Sequence, residues 1–254
     1  RMGNTFMFLL MALNTALSSQ EELKTTDQQT TSTHRINVER QHTEVDSLYD
    51  EMNLGKVLKY EAFRQAMEGR KELPIHNKDI MTVIDFSLAS TEKRLVVLDL
   101  AHKKVLFNTL VAHGKNSGEN YAVNFSNQRE SLKSSLGFFT TENTYNGENG
   151  YSLVLNGLEE GINDNAKARY VVMHGADYCS TGTIASLGRL GKSYGCPAVP
   201  REFAGPIINT IKDGTLLFIY ADNSEYLAKT RLIHQPNILM AQFQKRQSAF
   251  DHEG

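Results

Sequence analysis

Between residues 45 and 70, hydrophobic residues recur every three to four positions, which is the period of a helix that packs on one side. Two such groups predict two short helices. They are Val45, Leu48, Tyr49 and Met52, followed by Tyr60, Phe63, Ala66 and Met67. Gly55 and Gly69 stand where these helices are expected to end. The pattern therefore predicts an N-terminal helical appendage over residues 45–79.

From about residue 80 the pattern changes to short runs of β-prone residues, separated by turn-prone pairs such as Asp213-Gly214. The predicted strands are 81–88, 94–100, 104–112, 137–141, 151–155, 170–174 and 215–220. The second and third strands predict a hairpin across residues 101–103. Helical patterns are confined to 166–169 and 202–211. A mainly β domain over residues 80–225 follows, and we expect a sandwich or barrel because either one protects the sheet edges.

The two ends of the chain differ from this folded part. Residues 6–17 form an apolar run that follows Arg1 and precedes small residues, which is the order of a secretory signal peptide over residues 1–18. Residues 19–44 are polar and too poor in large apolar side chains to form a core, so they predict a disordered linker. Residues 226–254 are expected to be a C-terminal extension. The signal predicts export to the periplasm or cell envelope.

Composition narrows the class of protein. Apolar residues make up 40% of the 254-residue chain and charged residues 22%, as in a globular protein with a core. The net charge of −2 gives no general attraction for polyanions, so no nucleic-acid partner is expected. Beyond the signal region no apolar stretch is long enough to span a bilayer. We expect a monomer without a stable membrane span once the signal is cleaved.

The chain has two cysteines, Cys179 and Cys196, and composition leaves their role open. In an exported protein they could form a disulfide. The local sequence favours a nucleophile instead, because Gly195 permits a sharp turn that displays the Cys196 side chain and Pro197 fixes the direction of the chain after it. We expect the backbone N–H groups of Gly195 and Cys196 to be available for the oxyanion of a tetrahedral intermediate.

A thiol has an unperturbed pKa of about 8.5 and needs a base to react at neutral pH. Two predicted strands end in His-Gly, at His113 and at His174. His174 is the better candidate because it ends the more buried strand and lies nearer to Cys196 in sequence. A zinc site formed by His113, His174 and Cys196 is an alternative, although these residues lack a compact ligand spacing.

The pair His174-Gly175, followed by a glycine-rich loop and Ser193-Tyr194-Gly195-Cys196, resembles the signature of the murein L,D-transpeptidase catalytic domain family, which has the YkuD-like fold. The stretch GRLGKSYGCPAVP, residues 188–200, is similar to the end of that family's motif. Residues 98–100, 111–114, 134–138 and 161–166 also look like this family. The resemblance spans residues 45–225.

This resemblance implies an L,D-transpeptidase-like β-sandwich or barrel with a few short helices, and a cysteine acyltransferase that acts on peptidoglycan stem peptides. Cys196 would be the nucleophile that forms a thioester, and His174 its general base in a thiolate–imidazolium pair. The Gly175 carbonyl would orient the imidazole ring, while Ser193 and Gly195 would shape the turn. The bond attacked would join the third stem residue to its terminal D-Ala.

Two alternatives remain beside transpeptidation. Water rather than an amine could accept the acyl group, which would make the protein an L,D-carboxypeptidase. A non-catalytic cell-wall binding module, with Cys179 and Cys196 joined in a disulfide, belongs to a different class. The transpeptidase chemistry requires no metal and no cofactor.

The chain departs from the family pattern at two positions. Tyr194 stands where many members have His, and Ala198 where many have an Arg that binds a carboxylate. Arg189 and Lys192 are therefore expected to supply the missing positive charge, with Arg201 as a weaker candidate. We expect His113 and Tyr194 to contribute to substrate binding, although an ordinary structural role would also account for His113.

Overall fold

The computed structural model describes residues 43–234. The predicted signal peptide, nearly all of the predicted linker and the chain after residue 234 lie outside the described residues. The strands are β1 Asn77–Asp85, β2 Leu95–Asp99, β3 Lys104–Thr109, β4 Gly137–Gly147, β5 Gly150–Gly157, β6 Val172–Gly175, β7 Ala198–Val199 and β8 Thr215–Tyr220. The α-helices are α1 Glu44–Glu51, α2 Tyr60–Glu72, α3 Thr181–Leu187, α4 Arg201–Ile211 and α5 Ser224–Lys229. Short 3₁₀ turns occupy Leu54–Lys56 and Lys167–Arg169.

All eight strands join one sheet in the order β3-β2-β1-β8-β4-β5-β6-β7. The β1–β8 and β6–β7 pairs are parallel and the remaining pairs are antiparallel. Beyond the end of β3, Ala112 makes an antiparallel bridge to Ala198 in β7, with an N···O distance of 2.7 Å from Ala112 to Ala198. The sheet therefore curls nearly into a barrel, and the predicted mainly β fold is confirmed.

Several predicted elements are present almost as expected. Strand β8 has the predicted bounds and is buried along its whole length. Strands β2 and β3 form the predicted hairpin, and Lys103 takes a positive φ of 54° in its turn. Three elements were not predicted: the two-residue strand β7 and the helices α3 and α5. Helix α3 buries none of its residues, so it has no apolar face that a sequence pattern could reveal.

Helices α1 and α2 pack on the same hydrophobic core as the sheet. The prediction that Gly69 ends the second helix is wrong, because α2 continues to Glu72. A Cβ on Gly69 would lie 2.1 Å from the Phe138 ring of β4. The glycine therefore allows a close approach between the helix and the sheet, and it does not stop the helix.

A second, smaller hydrophobic cluster lies beneath the segment that carries Cys196. It comprises Leu110, Ala112, Ala176, Cys179, Leu190 and Ala198. Helix α4 packs against β6, the strand that ends in His174-Gly175. Within residues 43–234, none of the helices combines the length and apolar character needed to cross a bilayer.

Candidate active site

His174 is held by strand β6, which is buried throughout and lies between β5 and β7. Its backbone pairs with Ser152 on one side and Ala198 on the other. The ring Nδ1 lies 3.1 Å from the Gly175 carbonyl oxygen. Because a carbonyl can only accept, Nδ1 carries the proton in the neutral ring, and Nε2 is left as the basic nitrogen. A Cβ on Gly175 would lie 2.9 Å from the Cβ of Ala204, so the glycine lets α4 approach this strand.

Cys196 follows a turn that requires glycine. Gly195 has a φ of 123°, and a Cβ there would lie 2.8 Å from the Lys133 carbonyl oxygen. The buried Ser193 hydroxyl donates to the Cys196 carbonyl at 2.6 Å and accepts from the Gly195 N–H at 3.1 Å. Ser193 therefore closes the turn around the cysteine by two hydrogen bonds.

These bonds correct the expected oxyanion site. The Gly195 N–H was expected to be available to an oxyanion, but it donates to the Ser193 hydroxyl. Within residues 43–234 the Cys196 N–H makes no hydrogen bond. Of the two N–H groups expected at this turn, that of Cys196 is therefore the one left available for an anion.

The Cys196 thiol lies against the chain between Arg169 and β6. The Val172 N–H donates to Sγ at 3.4 Å, and the Tyr170 carbonyl lies 3.5 Å from Sγ. Burial raises the pKa of Cys196, and the Val172 N–H and the positive charge of Arg169 oppose that rise. Burial also lowers the pKa of His174, although its bond to the Gly175 carbonyl opposes that shift.

Both of these pKa shifts favour the uncharged form of the side chain. Burial therefore works against the resting thiolate–imidazolium pair that the resemblance implies.

His174 and Cys196 open into one cavity of about 480 Å³. Its lining residues are Lys115, Asn149, His174, Tyr178, Lys192, Ser193, Tyr194 and Cys196. The structure thus brings together five of the residues singled out from sequence. Lys115, Asn149 and Tyr178 were not anticipated. Lys115 is placed by its backbone, because its N–H donates to the Ser193 carbonyl at 2.7 Å.

The positively charged side chains expected near the cysteine differ in whether a carboxylate already pairs with them. Arg189 and Lys192 both pair with Glu119, at 3.0 and 2.6 Å. Lys192 lines the cavity, whereas Arg189 does not. Arg201 pairs with Asp177 at 2.6 Å. Lys115 forms no ion pair with a carboxylate of residues 43–234 and is the least engaged cation of the cavity.

His113 has a structural role instead of the expected contact with a substrate. It is 1% exposed, and the Arg94 guanidinium lies 2.8 Å from Nδ1 while the Gly118 carbonyl lies 3.1 Å from Nε2. Burial, with the Arg94 charge beside it, lowers the pKa of His113 to about 4. Its backbone carbonyl accepts from the Ser193 N–H at 3.0 Å, so the residue supports the loop that carries the turn.

The alternatives that required other roles for Cys196 find no support. Cys179 and Cys196 are both free thiols, and Cys179 is fully buried in the smaller hydrophobic cluster. Burial raises the pKa of Cys179 to about 12. Among residues 43–234, no three His, Cys, Asp or Glu side chains converge in the way a metal ion requires. His113, His174 and Cys196 therefore do not form the zinc site considered above.

The sequence from residue 55 to residue 220 matches the family model described as the L,D-transpeptidase catalytic domain. Because this match spans more than half of the chain, the protein belongs to the L,D-transpeptidase catalytic domain family. No curated protein sequence matches this chain significantly.

Solved structures similar to this chain include an L,D-transpeptidase from Mycobacterium smegmatis. The two sequences are 15% identical, and the match covers 56% of this chain and 59% of that chain with a TM-score of 0.35. Another is the helical cell shape determining protein Pgp2 from Campylobacter jejuni, with 12% identity, 63% and 57% covered and a TM-score of 0.39. The match thus spans less than two thirds of either solved chain. The family assignment rests on the sequence match.

Proposed function

We propose that this chain is an exported cysteine acyltransferase that acts on peptidoglycan stem peptides through a thioester on Cys196. The observation that carries the proposal is that Cys196 and His174 line the same cavity. The Ser193 bonds fix the turn that displays the thiol, and the Gly175 carbonyl leaves Nε2 of His174 as the base. A nucleophile, a base and an orienting group are the parts that acyl transfer needs.

In the first half of the reaction, Sγ of Cys196 attacks the carbonyl carbon of the third stem residue while Nε2 of His174 takes the thiol proton. The Cys196 N–H stabilises the oxyanion. The tetrahedral intermediate collapses by breaking the C–N bond to the terminal D-Ala, whose amine takes the proton back from His174. A thioester and free D-Ala result.

In the second half, an amine of a neighbouring stem attacks the thioester carbonyl and gives a proton to His174. The C–S bond breaks, and the thiolate recovers that proton. Water in place of the amine would give carboxypeptidase activity by the same steps. Dimers linked between third residues in a muropeptide digest would indicate transfer, whereas trimmed tripeptides as the only product would contradict it.

The substrate-binding side of the cavity is positively charged. We propose that Lys115 and Lys192 attract the carboxylate of the stem peptide and that the exposed Tyr194 packs on its backbone. Lys115 compensates for the absence of Arg at position 198. Arg189 has an indirect part in this binding, because it pairs with Glu119, the same carboxylate that pairs with Lys192.

Cys196→Ala tested on purified tetrapeptide muropeptides is the decisive experiment. The variant is expected to lose all turnover, and the wild type incubated without an acceptor is expected to gain the mass of an acyl group on the tryptic peptide that contains Cys196. Cys179→Ala is the matched control and should retain both. Turnover by Cys196→Ala would rule out the acyl-enzyme on Cys196 and point to another nucleophile, whereas no turnover by the wild type would leave a binding module.

Export is part of the proposal and has a separate test. The apolar run at residues 6–17 is expected to direct the chain into the periplasm or cell envelope. Fractionation of cells that produce the protein, with N-terminal sequencing of the mature form, should place the new N-terminus near residues 18 and 19. Recovery of the uncleaved chain from the cytoplasm alone would contradict export.

A further inference from the structure

Arg169 is fastened to the loop of residues 126–135 by both ends of its guanidinium fork. Nη1 donates to the Ser126 carbonyl at 2.8 Å and to the Ser135 hydroxyl. Nη2 donates to the Lys133 carbonyl at 2.6 Å and to the Ser131 hydroxyl at 3.3 Å. The planar fork of arginine matches several acceptors at once, which a lysine ammonium does not.

The same loop touches the turn that carries Cys196. A Cβ on Gly195 would lie 2.8 Å from the Lys133 carbonyl oxygen and 3.4 Å from Nη2 of Arg169. The Ser134 hydroxyl accepts from the Gly114 N–H at 3.0 Å and lies 3.4 Å from the Gly195 carbonyl. The guanidinium, the loop and the turn are therefore in direct contact around Gly195.

The thiol lies beside the chain that leaves Arg169. Its two hydrogen-bond partners are the Tyr170 carbonyl and the Val172 N–H, which follow Arg169 along the chain. All four acceptors of the guanidinium are uncharged, and no carboxylate of residues 43–234 pairs with it. A partly buried positive charge without a counter-ion thus remains next to the cysteine turn.

We propose that Arg169 is a positioning residue that fixes the turn of residues 193–196 and supplies the positive charge that stabilises negative charge on the Cys196 sulfur. This inference rests on the proposed role of Cys196 as the nucleophile. Burial works against the thiolate, and a nearby positive charge is one of the few ways to oppose it. Arg169 is indeed among the groups that lower the pKa of Cys196.

Other charged or titratable groups also face the thiol, and the test must hold them constant. They are His174 of β6, with Lys115, Tyr178, Lys192 and Tyr194 around the cavity. None of these five side chains bonds to the Arg169 guanidinium. Substitutions at Arg169 and Ser131 are therefore expected to leave their charges and positions unchanged.

The test measures how the rate of iodoacetamide reaction at Cys196 depends on pH, followed by peptide mass spectrometry of the folded protein. Arg169→Gln is expected to move the midpoint of this profile upward by about one pH unit, the low end of the effect of a neighbouring charge. Arg169→Lys is expected to restore most of the shift. Arg129→Gln, an exposed arginine of the same loop, should titrate like the wild type.

A second pair of variants leaves Arg169 unchanged and alters the charge beside its guanidinium. Ser131→Asp places a carboxylate on Nη2 of Arg169, and Ser131→Asn is its uncharged control. We expect Ser131→Asp to raise the midpoint relative to Ser131→Asn. Equal midpoints for that pair, or equal midpoints for folded Arg169→Gln and the wild type, would overturn the role of the charge.

The alkylation readout does not depend on the substrate. If the proposed function fails, muropeptides are not turned over although the midpoints still shift. If only the Arg169 inference fails, turnover requires Cys196 while the midpoints of the variants coincide.

Discussion

Cys196 and His174 both lie where burial favours their uncharged forms. A neutral thiol is a weak nucleophile, so in the proposed mechanism the proton leaves Sγ as the sulfur attacks, and His174 accepts it in the same step. The bond from Nδ1 to the Gly175 carbonyl suits this requirement because it keeps the lone pair on Nε2. Burial of the thiol also works against its oxidation, since the thiolate is the reactive form.

Gly195 is required for two reasons that can be separated. Gly195→Ala is expected to cost roughly 2–4 kcal/mol of folding free energy, because it adds strain at positive φ and a contact of 2.8 Å with the Lys133 carbonyl. Gly161→Ala has a positive φ but open space around it, and should cost only about 1 kcal/mol. Urea unfolding of both variants measures the difference, and equal costs would mean that the contact with Lys133 is irrelevant.

Lys115 should act on anionic reagents that enter the cavity. Lys115→Gln is expected to lower the ratio of iodoacetate to iodoacetamide reactivity at Cys196 by about two- to fivefold, the effect of one charge in a wet site. Lys192→Gln should have a smaller effect because Glu119 already pairs with that lysine. The two rate constants, measured at one pH and low salt, give the ratio. An unchanged ratio in Lys115→Gln would show that this lysine does not act on anions near the thiol.

At the scale of elements, the site depends on short segments that hold one another. Ser193 bonds through its backbone to His113 and Lys115, and β7 pairs with β6 directly beside His174. Glycines at the contacts let helices and loops approach the strands that carry the site. The contact of α2 with β4 is the clearest example, because Gly69 faces the Phe138 ring.

Alanine substitutions at two helical glycines are expected to change the folding free energy in opposite directions. Gly69→Ala is expected to destabilise the fold by roughly 1–3 kcal/mol because its Cβ would lie 2.1 Å from the Phe138 ring. Gly182→Ala in α3, whose Cβ would meet no atom closer than the Ser180 Oγ at 3.8 Å, should stabilise by up to about 1 kcal/mol through helix propensity. Thermal and urea unfolding measure both. Stabilisation by Gly69→Ala would mean that α2 does not pack as closely as described.

Much of this architecture was predictable because it depends on local patterns. The hairpin of β2 and β3, strand β8 and the His-Gly and Gly-Cys motifs follow from alternation, turn residues and spacing. Strand β7 was not predictable, since two residues carry no period and pair only with distant segments. The positions of Lys115 and Arg169 near Cys196 were not predictable for the same reason, because they come from backbone contacts between segments far apart in sequence.

Across the whole molecule, buried ionisable groups make stability depend on pH. His113 has a pKa of about 4 in the folded protein, below its unperturbed value. Between these two pH values the unfolded chain binds more protons than the folded one, so stability falls as the pH drops through this window. The cause is burial next to Arg94, whose positive charge opposes protonation.

Replacement of His113 should therefore flatten the acid limb of the stability curve. Between pH 7 and pH 4, wild type is expected to lose on the order of 2–3 kcal/mol more folding free energy than His113→Gln. Glutamine keeps one acceptor and one donor group. His76→Gln, at an exposed histidine, is the control and should follow the wild type. Urea unfolding at a series of pH values gives the slopes, and parallel curves for wild type and His113→Gln would refute the assignment to His113.

The bridge between Ala112 and Ala198 also bears on the order in which the protein folds. Contacts between segments this far apart in sequence require the entropy of closing a long loop to be overcome. The bridge and the pairing of β7 with β6 hold the chain directly after Cys196, so the cysteine meets its base only when the sheet has closed. Under the proposed mechanism, acyl transfer by Cys196 therefore requires the closed sheet.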